Sequence, residues 1–311
     1  MDAAVFGLIV ADLIASPMNL RGNLPAPGGL QILDTIELTT GGNVCNTGIA
    51  MSKLGMNVAA AGVVGKDVLG LAITDRLKKA GMDTSCVFAD EREQTSATVV
   101  AVEPGGERCF FHTPGATKLL DAATFRKCFD TFKQCRIVQV GYFGLLASMT
   151  ADMPALFAEL KQAAPHTLIA LDTVNPPADW SLLEPILPHV DFFAPSRTEA
   201  EALTKEKDPQ AMIAALRRHL PKSALVGIKL DAEGALVDDG RQSHFVPAYK
   251  INCIDTTGAG DTWFGGFMTA LLRTMPLKQA AQFANRAAAD CCTALGASTG
   301  VKSFEDTFAR L

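Results

Sequence analysis

The chain has no run of lysines or arginines. Its 28 basic residues are outnumbered by 33 acidic ones, for a formal net charge of -5 and a pI near 5.6. Neither a nucleic-acid surface nor a basic membrane-binding stripe is therefore expected. No apolar run approaches the roughly 18 residues that a membrane span needs. The apolar start, "MDAAVFGLIVADLIAS", lacks the positive leader of a signal peptide and is interrupted by Asp2 and Asp12, so it is read as a buried first strand. There are eight cysteines and no C-x-x-C, which points to reduced, mostly buried thiols and a reducing cytoplasm.

Several catalytic motifs are missing as well. There is no G-x-x-x-x-G-K-[ST] phosphate loop and no dinucleotide-type G-x-G-x-x-G. The five histidines and the cysteines show no metal-ligand spacing. "GASTG", Gly296 to Gly300, fits the hydrolase pattern G-x-S-x-G, but no histidine lies beyond His244 to follow the serine. These absences leave a small-molecule partner.

With 311 residues, 48% of them hydrophobic and 20% charged, the chain can bury a large core. Apolar strands alternate with helical patterns. Helices are expected over Val44 to Leu54, Val68 to Ala80, Met153 to Ala163, from Thr198, over Gln210 to His219, Asp261 to Arg273 and Leu277 to Leu295. Strands are expected at "NVAAAGVVG", "TLIALD", "VDFFAP", "ALVGIK" and "NCID". This rhythm implies an α/β, doubly wound, mainly parallel sheet with helices on both faces, binding its ligand at the carboxyl ends of the strands.

Two segments depart from it. Thr95 to Thr113 reads as a hairpin turning at Pro104-Gly105-Gly106, and Thr35 to Thr40 is strand-like. Together they predict a small β-sheet lid from about 13–40 and 95–114 within one domain spanning 1–311.

The stretch "CIDTTGAGDTWFGGF", Cys253 to Phe267, places Gly258-Ala259-Gly260 where a helix begins. The first amides of a helix lack internal partners, and glycines let a ligand approach the backbone, so this is a candidate anion site with the Asp261 carboxylate beside it. Such a pairing suits phosphoryl transfer to a hydroxyl; a plain helix cap by aspartate is the alternative. Gly265 and Gly266, each costing roughly 1 kcal/mol in a helix, imply close packing or a ligand. In "TTGGNVCN", Asn43 and Asn46 either bond sugar hydroxyls or cap a turn.

"DTTGAGDTWFGGF" resembles the signature of the ribokinase, or PfkB-type, carbohydrate kinases, D-T-x-G-A-G-D followed by an aromatic and glycines. "GGNVCNTGIAMSKLG" resembles the family's other signature. "LPAPGG", "GERCFFHTPGA", "LDTVNPP", "FAPSRTEAEALT" and "KLDAEGALV" extend the resemblance in order along the chain. It implies a ribokinase-like fold and an ATP- and Mg2+-dependent kinase acting on a hydroxymethyl group of a sugar of the ribose, fructose or keto-sugar-acid type. Asp261 would be the general base, with Gly258, Ala259 and Gly260 as the amide cradle. Asp12, at the end of the first strand, would bond substrate, with Gly41, Gly42 and Asn46 lining the same pocket. Lys229, Gly234 and Asn285 would face the nucleotide, Glu199 would help hold Mg2+ through water, and Asp255 would serve a monovalent cation, K+. Relatives often form homodimers through their lids.

Two positions depart from the family pattern. Ser196 stands for the asparagine of Asn-x-x-Glu, and Asp231 for a glycine. A nucleoside kinase, with Phe6, Phe110 and Phe111 as aromatic contacts, stays open on the sequence alone. So do a weakly catalytic binding protein and an enzyme acting on a phosphorylated sugar met by Arg108 or Lys118.

Overall fold

The computed structural model describes residues 1–19, 25, 27–103, 107–174 and 180–311. The turn expected at Pro104-Gly105-Gly106 and parts of "LPAPGG" and "LDTVNPP" lie outside them. Thirteen strands occur among the described residues: β1 (Ala3–Phe6), β2 (Val10–Ser16), β3 (Thr35–Gly41), β4 (Val58–Gly65), β5 (Asp83–Asp90), β6 (Ala97–Val102), β7 (Arg108–Thr113), β8 (Ile137–Val140), β9 (Leu168–Leu171), β10 (Phe192–Phe193), β11 (Leu225–Lys229), β12 (Gly234–Asp238) and β13 (Ser243–Pro247). The helices are α1 (Asn43–Lys53), α2 (Val68–Lys79), α3 (Ala122–Lys127), α4 (Phe129–Phe132), α5 (Met153–Ala163), α6 (Arg197–Thr204), α7 (Pro209–Arg217), α8 (Ala259–Leu272), α9 (Leu277–Cys291) and α10 (Phe304–Phe308).

Nine strands form one sheet in the order β13-β12-β11-β10-β9-β8-β1-β4-β5. Pairing is parallel from β11 to β5, and β12 alone runs against the others, pairing antiparallel with β11 and with β13. The central strands are apolar at nearly every position because both faces are covered. Along β1, Ala4 and Phe6 enter one core with Phe125, Phe132 and Phe157, while Ala3 and Val5 enter the other with Ile49, Phe264 and Phe283. Period-two alternation thus feeds two cores from one strand. The first core is walled by α3 to α7, the second by α1, α2, α8 and α9.

The second sheet has the order β3-β2-β6-β7. Its register places Thr39, Asp12, Thr98 and His112 in one row across the strands, and Glu37, Ile14, Val100 and Phe110 in the next row on the same face. The opposite face carries Leu38, Leu13, Val99 and Phe111.

Four expectations change. The apolar N-terminal stretch is not one strand: it breaks at Gly7, whose φ is 146°, and feeds β1 to the large sheet and β2 to the small one. Asp12 therefore belongs to the small sheet. Phe6 packs edge-on against Phe125, with ring centroids 5.0 Å apart, and is fully buried, so it is no ligand contact. "NCID" forms no strand; the amides of Ile254 and Asp255 instead donate to the Cys292 carbonyl at 2.8 and 3.3 Å.

Candidate active site

The two glycines inside α8 explain how the centre of the site is assembled. A Cβ at Gly265 would lie 3.1 Å from the Thr47 carbonyl oxygen and 3.1 Å from Met51, and one at Gly266 would lie 3.2 Å from the Ala287 methyl. Their bareness lets α1 and α9 pack at backbone distance, so packing is their role. One turn earlier, that closeness brings α1 side chains onto Asp261. Asn46 Nδ2 donates to Asp261 Oδ2 at 2.9 Å and Thr47 Oγ1 to Oδ1 at 3.4 Å. Tyr142 OH, on the loop after β8, donates to Oδ2 at 2.8 Å. Burial raises the Asp261 carboxyl above the ordinary range, while Asn46, Tyr142, Lys229 and Thr47 pull it back. Asn46 Oδ1 remains buried without a hydrogen-bond partner, an acceptor beside the carboxylate waiting for a donor.

The turn before Asp261 is left-handed at Gly258, with φ 72°, and a Cβ there would lie 2.6 Å from Ala297, so only glycine fits. The first bond inside the helix runs from Thr262 N–H to the Gly258 carbonyl at 2.8 Å. The amides of Gly260 and Asp261 precede it and take no partner from the helix itself. Gly260 is uncrowded: a Cβ placed there would make only ordinary van der Waals contact, with the Lys229 ammonium nitrogen at 3.7 Å. Lys229 closes β11 and is paired with Asp172 Oδ1 at 2.9 Å. Burial disfavours its charge, but Asp172, Glu199 and Asp261 together outweigh that and hold the ammonium above the usual lysine value. A helix N-terminus, a bare glycine turn and a buried cation converge on one spot, which is the chemistry of an oxyanion or phosphate cradle.

Glu199 stands beside this cradle. Its Oε2 accepts from Thr173 Oγ1 at 3.0 Å and from the Ser196 amide at 2.7 Å, and Ser196 Oγ accepts from the Glu199 amide at 3.4 Å. This is a reciprocal capping box at the start of α6, so Ser196 fixes the glutamate by N-capping the helix that carries it. No cluster of three or more His, Cys, Asp or Glu among the described residues forms a metal-ligand set. One fixed carboxylate suits a cation that keeps most of its water, as Mg2+ does.

Asp12 faces a cleft of about 600 Å³, counting its open mouth, between the small sheet and the 254–257 and 295–297 segments. Burial pushes its carboxyl up to about 6 against a hydrogen bond from Thr98. Gly41 is bare because a Cβ would sit 2.1 Å from Asp12 Oδ2, and Gly42, with φ 80°, lies where a Cβ would strike the Leu8 carbonyl at 2.3 Å. Asn43 is not part of this pocket. Its Oδ1 accepts from the Leu8 amide at 2.8 Å, and its Nδ2 donates to the Phe6 carbonyl at 3.0 Å and Gln139 Oε1 at 3.1 Å, so it staples the break between β1 and β2.

Gly234 and Asn285 meet at one stretch of backbone. A Cβ at Gly234 would lie 2.0 Å from the Val246 carbonyl. Asn285 Nδ2 donates to the Val246 and Pro247 carbonyls at 2.9 and 3.0 Å, and its Oδ1 accepts from Trp263 Nε1 at 2.7 Å. Both side-chain ends are engaged, so Asn285 shapes this wall by holding the 246–247 backbone to α8 and α9. Asp231 has φ 51°, a left-handed conformation that aspartate tolerates better than most residues, which is why it can stand at a glycine position; its side chain is exposed.

Asp255 is already satisfied. Its Oδ1 takes Arg108 Nη1 at 2.5 Å and the Thr257 amide at 2.8 Å, and its Oδ2 takes the Gly296 amide at 2.8 Å. Lys118 is an exposed partner of Glu93 at 3.2 Å, so neither basic residue considered for a substrate phosphate stands unpaired. Of the three phenylalanines, Phe110 alone lines the cleft.

Tyr142 lies in no motif, and Thr47, Asp172 and Thr173, although inside "GGNVCNTGIAMSKLG" and "LDTVNPP", are given no role by sequence reasoning. Tyr142 has φ 59°, uncommon outside glycine, and its one sequence signal is its place just after a buried strand. Asp172 ends β9 in the same relation, at the carboxyl edge where such sheets bind ligands.

Replacing Ser196 by alanine is expected to lower stability by about 1 kcal/mol through loss of the cap, whereas Ser196→Asn, an equally good cap, should stay within about 0.5 kcal/mol. Urea denaturation of both variants checks this.

The chain matches the pfkB family carbohydrate kinase profile over residues 2–303. It is 27% identical over 286 residues to a ribokinase of Haemophilus influenzae, covering 90% of each chain. It is 28% identical over 306 residues to the 2-dehydro-3-deoxygluconokinase of Bacillus subtilis, covering 92% of this chain and 87% of that one. Its fold superposes on Arabidopsis thaliana ribokinase complexed with ribose and ATP with a TM-score of 0.84 at 21% identity, covering 99% of this chain and 97% of that one. A buried carboxylate at a glycine-turn helix start, set in a doubly wound sheet with a small sheet alongside, accords with that match, and the chain belongs to the pfkB family of carbohydrate kinases.

Proposed function

We propose that this kinase moves the terminal phosphoryl group of Mg-ATP onto a hydroxymethyl group of a sugar of the ribose, fructose or keto-sugar-acid class. The observation that carries the reading is the buried Asp261 carboxylate lying next to both the open amide cradle at Gly260 and the unpartnered Asn46 Oδ1. Asn46 Oδ1 accepts from a sugar hydroxyl, and the ionised Asp12 carboxylate accepts from others. Asp261 takes the proton of the reacting hydroxyl as its oxygen forms the new bond to phosphorus and the bond to the ADP oxygen breaks. The Gly258–Gly260 turn and Lys229 stabilise charge on the phosphoryl oxygens. Glu199 would help hold Mg2+ through water, and the ion would supply Lewis acidity to the nucleotide phosphates.

The small sheet is read as a lid over the cleft, excluding water that would otherwise compete as acceptor. With Arg108 and Lys118 both paired, an unphosphorylated sugar is favoured as substrate. The single ring of Phe110 offers a nucleoside base little stacking, which favours a sugar over a nucleoside. On the lid's outer face Ile36 is 70% and Phe111 60% exposed. This apolar face suits a second copy of the chain, and we read the protein as a cytoplasmic homodimer paired through its lids.

ADP release from Mg-ATP across pentoses, hexoses, keto-sugar acids and nucleosides should show turnover on one sugar class, with little on nucleosides; turnover confined to nucleosides would overturn the reading. With the accepted sugar, KM should rise as pH falls through about 6, because Asp12 carries its charge above that value and loses it below. A flat KM from pH 5 to 8 would remove Asp12 from the pocket. Light scattering should give twice the monomer mass, and Phe111→Glu should halve it; an unchanged mass would place the interface elsewhere.

A further inference from the structure

Arg108 is the first residue of β7 in the small sheet, yet its guanidinium lies on the loop that leads into the phosphoryl cradle. It pairs with Asp255 at 2.5 Å and also donates to Thr257 Oγ1. Asp255 is 7% exposed and Arg108 23%. Two residues of the same short loop are thus gripped from across the cleft by one side chain. The loop's other ties are internal to its own layer: the Gly296 and Thr257 amides on Asp255, and the Cys292 carbonyl under Ile254 and Asp255. A carboxylate this buried needs a positive partner. Among the described residues the ion pair made by Asp255 is with Arg108.

We infer that Arg108 is a positioning residue for phosphoryl transfer: it delivers from the lid the positive charge that Asp255 requires, so that lid closure orders the 255–260 turn and no monovalent cation is needed. The inference rests on the kinase reading for its catalytic consequence but not for its structural one. When the lid lifts, the guanidinium leaves with it, Asp255 is left with the uncharged donors of Gly296 and Thr257, and the turn holding Gly258 and Gly260 loses its anchor. Closure over substrate and assembly of the anion cradle then become one event. Charge is the essential property, because the two amides already satisfy the directional needs of the carboxylate.

The test uses the full chain, with K+ exchanged for tetramethylammonium at constant ionic strength. For the wild type, kcat and melting temperature should be the same in both salts. In Arg108→Met, kcat should fall roughly tenfold or more with KM for the sugar changing less, and K+ or guanidinium ion should restore part of it. The melting temperature of the variant, unlike that of the wild type, should rise with K+. Arg108→Gln keeps donors without charge and should respond to K+ in the same way. A wild type whose activity and melting temperature both require K+ would overturn the inference, as would a Gln variant indistinguishable from wild type. Melting temperature reports on Asp255 without turnover, so failure of the kinase reading would leave that arm intact and be seen separately.

Discussion

The arrangement of this molecule depends on a carboxylate kept in a dry place at the first turn of a helix. Asp261 is 6% exposed, and a buried charge without donors is heavily disfavoured. The donors come from three separate parts of the chain: Asn46 and Thr47 on α1, Tyr142 after β8, and the field of Lys229 at the end of β11. Asn46 and Thr47 reach it only because α1 lies against α8 at backbone distance, which Gly265 permits. Glycines that weaken a helix by roughly 1 kcal/mol each are thereby the condition for the site. The same packing leaves Asn46 Oδ1 unpartnered, so the packing of the core and the free acceptor beside Asp261 arise from one contact.

The two sheets divide the work. At the carboxyl edge of the large sheet stand the Gly258–Gly260 turn, Lys229 at the end of β11, and Glu199 in the first turn of α6, which follows the neighbouring β10. The small sheet presents a polar row around Asp12 and, one row along the same face, the apolar Ile14, Val100 and Phe110 with Glu37 at the edge. Period-two alternation sets both rows, so a one-residue slip in β2 would turn Asp12 away from the cleft and bring Leu13 into it. Arg108 ties the two halves together across the cleft.

The sequence is most legible where local chemistry and tertiary need agree. The glycine turn before Asp261, the alternation that makes a doubly wound sheet, and the helix Met153–Ala163 all follow from residues adjacent in the chain. It is least legible where the answer depends on what lies across the fold. Asn43 and Asn46 are three residues apart on one helix; nothing local reveals that one staples the N-terminal strands while the other faces Asp261. Phe6 and Phe110 are equally aromatic, but only the register of the sheets shows one in the core and the other at the cleft. Tyr142 stands at a strand end without a motif, Asp172 sits in "LDTVNPP" with no role legible there, and their places appear only once β8 is set beside β1 and β9 beside β8. Nothing near Asp255 in the sequence reveals its arginine partner, which is 147 positions away.

The central claim is that Asp261 acts on the reacting proton and not on binding. The most direct measurement is single-turnover phosphoryl transfer in Asp261→Asn, alongside calorimetric affinities for the sugar and for Mg-ATP. The account predicts affinities within about threefold of wild type and a transfer step slowed by about 10²–10⁴. Transfer at close to the wild-type rate with sugar affinity lost would contradict it and make Asp261 a binding residue.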